Sequence, residues 1–96
     1  MTEILLLAAT EDIRAGEVAK AFKRAGFLVK DEKGLEEGLK SLRSRYKEGN
    51  PFGGLVVVGA LIFGEHMNNE DLLLDVMQLI TVAEDNGIRR MAFVSQ

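Results

Sequence analysis

The chain has one histidine, His66, next to Glu65 and close in sequence to Glu70 and Asp71. Imidazole among carboxylates is the raw material of metal ligation or of proton transfer. A metal site generally needs three or four converging ligands. The same stretch also reads as the polar opening of a helix, with Asn68 or Asn69 as N-cap, and that reading is preferred. Ser95 is a nucleophile only beside a positioned base. His66 is the sole imidazole, and no third group to orient it is identifiable, so Ser95 is read as a hydroxyl ending a strand. Thr10, Glu11 and Asp12 offer a capping hydroxyl and two acids where a helix dipole favours negative charge. Together with Gly64 and Ser95 they outline a small-molecule or anion site, although the two acids repel an anion.

Other chemistry is absent from the pattern. No G-x-x-x-x-G-K-[ST] occurs, and no G-x-G-x-x-G follows the first strand. Gly59 and Gly64 are read as permitting a bend or close packing. Lys40, Arg43, Arg45 and Lys47 form a basic run diluted by Glu36, Glu37 and Glu48. With no aromatic set for base stacking, it is read as a solvated helix face. The absence of cysteine excludes a disulfide scaffold, a cysteine-ligated metal and a cysteine nucleophile. A net charge of -3 gives no global pull toward nucleic acid.

These groups must be held by a small scaffold. Ninety-six residues, 47% hydrophobic and 28% charged, fit one soluble globular domain. No apolar run approaches the roughly 20 residues of a membrane span, and Met1–Thr10 lacks the features of a signal peptide. Glu3–Ala9 reads as a strand buried on both faces. Ile13–Ala25 is an amphipathic helix with Ala15, Val18, Ala19, Phe22 and Ala25 on one face, stopped by Gly26. Phe27–Lys30 is a short strand and Asp31–Gly34 a polar turn. Leu35–Glu48 is a helix whose Leu35, Leu39, Leu42 and Tyr46 share a side. Gly49–Gly54 breaks the chain. Leu55–Ile62 is a central strand. Asn69–Asn86 is a helix with Leu72, Leu73, Val76, Met77, Ile80 and Ala83 inward, and with Leu74 and Val82 off that face. Met91–Val94 is the last strand.

The alternation βαβαβαβ predicts an α/β fold, flavodoxin-like or Rossmann-like, with a four-stranded parallel sheet in the order 2-1-3-4. Right-handed crossovers then place the first helix on one face and the other two on the opposite face. Beside the first helix, strands 3 and 4 are expected to be partly bare. The interface residues expected there are Val56, Val58, Met91 and Phe93. Each uncovered apolar side chain forfeits roughly 1.5–3 kcal/mol. A second copy is the simplest cover, and the last strand is a free edge.

The stretch ILLLAATEDIR, residues 4–14, resembles the start of a two-component receiver domain. EVAKAFKRAGFLV is similar to that family's first helix and second strand, LEEGLKSL to its second helix, LVVVGAL to its third strand and MAFVSQ to its fourth. The resemblance spans nearly the whole chain. It places the family's magnesium-holding acidic pair on Ala8 and Ala9, its phosphoacceptor aspartate on Gly59 and its hydroxyl on Ser95. The lysine of a fifth strand has no counterpart in these residues. Alanine offers magnesium no oxygen ligand, so the resemblance implies a truncated pseudo-receiver without phosphotransfer. FKRAGFLV, LVVVGALIFGE and RRMAFVSQ are also similar to the large-subunit half of a caspase-like fold. There the catalytic histidine falls on Phe63, and the cysteine position follows Gln96.

The sequence therefore predicts a non-catalytic regulatory or protein-interaction module, cytoplasmic and homodimeric. No cofactor, metal, nucleic acid or membrane is expected to take part. The alternative is a small-molecule or anion site at the carboxyl ends of strands 1 and 3, built from Thr10, Glu11, Asp12, Gly64, His66 and Ser95.

Overall fold

The computed structural model describes residues 2–8, 13–59 and 69–94. Among them the order is β1 (Glu3–Ala8), α1 (Ile13–Arg24), β2 (Leu28–Lys33), α2 (Leu35–Lys47), β3 (Gly54–Val58), α3 (Asn69–Asp85) and β4 (Met91–Val94). The strands form one parallel sheet in the order β2-β1-β3-β4, as the alternation predicts. No helix among the described residues is long and apolar enough to cross a membrane.

The central strands β1 and β3 are apolar along their length because both of their faces are covered. Leu5, Leu7, Leu55 and Val57 point to one side and pack with Leu39 and Leu42 of α2 and Leu79 and Ala83 of α3. Ile4, Leu6, Val56 and Val58 point to the other side and meet Ala15 and Ala19 of α1. One helix thus stands against two. Gly38 shows how closely α2 approaches, because a Cβ there would lie 2.5 Å from a methyl of Leu7. A glycine is what lets the helix settle on β1.

All three helices stop in the same way. Gly26, Gly49 and Gly87 take φ of 96°, 80° and 86°, a left-handed backbone that glycine adopts without a Cβ clash. After α1, the Gly26 N–H donates to the carbonyl of Lys23 and the Phe27 N–H to that of Phe22. Gly49 and Asn50 repeat this pattern after α2, and Gly87 and Ile88 after α3. This is the Schellman arrangement, which satisfies the last carbonyls of a helix. Its usual apolar contact is present after α1, where Phe22 and Phe27 meet edge to face with centroids 5.5 Å apart.

Three readings of the sequence are corrected. First, β2 continues through Asp31, Glu32 and Lys33, which were expected in a turn. Those residues pair with Leu6, Leu7 and Ala8, and the Gly34 N–H donates to Ala8. An edge strand tolerates polar side chains, so the loss of apolar residues did not mark its end. Second, the buried face of α3 runs through Val76, Leu79 and Ala83, with Val82 packed beside it. Met77 is exposed. Apolar residues of this helix spread beyond a single face, so periodicity alone did not fix its rotation, and the side chains of Leu72 and Leu73 lie outside the described residues. Third, Ala25 is exposed, because the chain leaves the helix there.

Candidate interaction surface

The residues expected to bind a ligand, Thr10, Glu11, Asp12, Gly64, His66 and Ser95, lie outside the described residues. So do Ala9 and Phe63. Among the described residues no cluster of three or more histidines and carboxylates is placed to hold a metal. The expected interface residues, Val56, Val58, Met91 and Phe93, are all described.

Their faces follow from register. Leu55 pairs with Met91, Val56 with Ala92, Val57 with Phe93 and Val58 with Val94. Neighbours in register share a face, so Met91 and Phe93 lie with Leu55 and Val57 on the side of α2 and α3. Ala92 and Val94 lie with Val56 and Val58 on the side of α1. The expectation of one bare patch made of these four residues is therefore corrected. Val56 and Val58 are 4% and 0% exposed, covered within the chain itself. A one-residue choice of register moves every side chain of a strand to the other face, and the sequence alone did not fix it.

β4 is exposed on both of its faces. Phe93 is 48% exposed on one face, and Ala92 is exposed on the other. Beside α1 an open groove of about 530 Å³ lies over the amino-terminal half of β1, β3 and β4. Ile4, Val56 and Ala92 contribute to its lining from the sheet, Phe22 and Phe27 from the end of α1, with Arg90 also lining it. The groove is the gap left where one helix covers a face that two cover on the other side. The Phe22–Phe27 contact that closes α1 thus also lines the groove. Helical spacing alone places Phe22 on the core face and does not show this second role. The F-x-x-x-G-F spacing was its available signal.

The backbone of β4 is as informative as its side chains. The Leu55 N–H donates to Arg90 and the Gly59 N–H to Val94. In a parallel ladder alternate residues turn their N–H and C=O to the same neighbour. Arg90, Ala92 and Val94 therefore face β3, and Met91 and Phe93 turn theirs outward, to the free edge.

At the amino end of β1 lies the best-defined polar contact. Arg45 of α2 donates a hydrogen bond to the Glu3 carboxylate, and its guanidinium lies 4.4 Å from the centre of the buried Phe52 ring. That hydrogen bond, helped by the charges of Arg45 and Lys30, holds the Glu3 carboxyl below the usual carboxylate range. It also raises the Arg45 guanidinium. Arg45 was read as part of a solvated face. It is instead a clamp from α2 to β1, with its charge shared between an acid and an aromatic face. Lys40 of the same run pairs with Glu37 on the surface.

No protein-family model and no curated protein matches this chain.

Proposed function

We propose that the chain is a non-catalytic regulatory or interaction module that acts by surface recognition and associates with itself through the open side of its sheet. The observation that carries this reading is β4, an apolar edge strand exposed on both faces beside an open groove. Monomeric domains usually blunt such an edge with charge, proline or a covering element. The receiver-like reading, without phosphotransfer, draws support from two positions. Ala8 ends β1 and Gly59 directly follows β3, which are the places the resemblance gives to a magnesium-holding acid and to the phosphoacceptor. Neither carries a carboxylate, and Gly59 has a φ of 80°.

Two measurements on the intact chain test the proposal. Thermal unfolding is followed with nucleotides, inorganic phosphate, acetyl phosphate and divalent cations, and none is expected to raise the midpoint. Molecular mass is followed against concentration and is expected to rise. A compound that stabilises the fold by mass action, with a mass fixed at that of one chain, overturns this reading in favour of a ligand-binding domain.

A further inference from the structure

We infer that two copies join by antiparallel pairing of β4 with β4, with Ala92 on the two-fold axis, to make one continuous eight-stranded sheet. The inference rests on the self-association reading and adds its geometry.

Met91 and Phe93 direct their N–H and C=O groups away from β3, as the bonds of Leu55 and Gly59 to Arg90 and Val94 require. A partner strand must offer the same pattern in reverse, and a second β4 does. A two-fold axis normal to the sheet keeps each face on its own side, so residues that meet across it must be of the same face. Placing Ala92 opposite Ala92 sets Met91 against Phe93 of the other copy, twice. All four outward groups on each strand are then satisfied by residues of β4 itself. Moving the axis to Phe93 would leave Met91 outside the pairing within β4.

The side chains fit this register. Met91 and Phe93 share the α2/α3 face, so each phenyl ring meets a thioether across the join, a favourable contact. On the α1 face the small Ala92 residues meet at the axis, where antiparallel strands approach most closely. The two grooves then lie on the same face, on either side of the join. Charge selects the direction. Arg89 and Arg90 precede β4, and parallel pairing would set these cations beside their copies about 4.8 Å apart. Antiparallel pairing places Arg90 beside Val94 of the other copy, with the two Arg90 residues four positions or about 13 Å apart along the strands. That exceeds the screening length at physiological salt, about 8 Å.

The chain has no cysteine, so a single introduced thiol reports one position. In the Ala92 register the paired Cα atoms stand about 4.5 Å apart, within the range a disulfide spans. Ala92→Cys is expected to give a disulfide-linked dimer under mild oxidation, and Lys30→Cys on β2 is expected to remain single. Met91→Pro removes one outward donor per chain and no bond to β3, and should weaken the dimer about thirtyfold. Should Ala92→Cys fail to fold by circular dichroism, mixed Met91→Cys and Phe93→Cys chains are expected to form the mixed disulfide. A native chain that dimerises by mass while neither cysteine design links overturns this pairing but leaves self-association standing. A native chain that stays at the mass of one copy overturns both.

Discussion

One edge of the sheet is β2, which carries Lys30, Asp31, Glu32 and Lys33; the other is β4, which carries Met91, Ala92, Phe93 and Val94. β2 is packed beneath both α1 and α2, whereas the substantial packing of β4 is with β3. Glu32 is tied down by Ser41 of α2 at 2.9 Å, and Lys30 lies 4.0 Å from the Glu32 carboxylate. No charged side chain lies within β4. The same fold thus ends in two ways. Charge along an edge makes pairing with another strand costly, because the charges would lose water and meet their own kind. β2 has that protection, and β4 does not. The contrast teaches that exposure alone does not define an interaction surface. Both edges are exposed, but among the described residues β4 is the edge strand without a charged side chain.

The largest expected effect is a direct attack on that contrast. Phe93→Lys gives β4 the charge β2 already has. It is expected to raise the dimer dissociation constant about 100-fold, since each copy loses the exposed half of a side chain whose full burial is worth roughly 1.5–3 kcal/mol and gains a cation in the join. Sedimentation equilibrium reads the change. An unchanged mass distribution would break the comparison.

Next comes a change that should affect the fold and not the edge. Gly38→Ala places a methyl group 2.5 Å from a Leu7 side-chain carbon. The crowding is expected to cost about 1–3 kcal/mol of folding stability in urea denaturation. The surviving folded chain should keep the native association, because Gly38 packs against Leu7 of β1, and β3 separates β1 from β4. Loss of association at full folding would mean that the two halves are not independent.

The reciprocal change follows. Lys30→Val with Lys33→Val strips cations from β2 and is expected to open that edge to pairing. A chain with two adhesive edges no longer closes at two copies, so light scattering should show larger assemblies. If the mass stays at that of the native chain, charge is not what keeps β2 single.

The smallest effect concerns pH on the covered half. The Glu3 carboxyl is lowered in the folded state, chiefly by the hydrogen bond from Arg45. Its contribution is fully present above the usual carboxylate range and is lost as pH falls through its folded-state pKa. Glu3→Gln should therefore cost up to about 1 kcal/mol at neutral pH and less in acid, where the native carboxylate is protonated. Equal costs at both pH values would show that the clamp does not act through charge.

The sheet order and the sidedness of the helices were readable from the chain, because β1 and β3 are continuous apolar runs and the glycines after each helix mark its end. Met91–Val94 was placed to the residue. What was not readable has a common cause. The rotation of α3 was hidden because its apolar residues spread over more than one face. The extent of β2 was hidden because an edge strand need not be apolar. The faces of Met91 and Phe93 depend on pairing register, which Leu55 and Gly59 set through their bonds to Arg90 and Val94 and which no local pattern encodes. The clamp of Arg45 on Glu3 joins residues far apart in sequence. Of the four expected interface residues, Phe93 is exposed. Val56 and Val58 are covered, and the open surface is Ala92, Phe93 and the groove by Phe22 and Phe27.

The most direct test of the central claim is the solution mass of the native chain from low to several hundred micromolar. Self-association through β4 predicts a mass that rises with concentration from 10.6 kDa and levels at twice that value. A mass that stays at one chain across the whole range would contradict it.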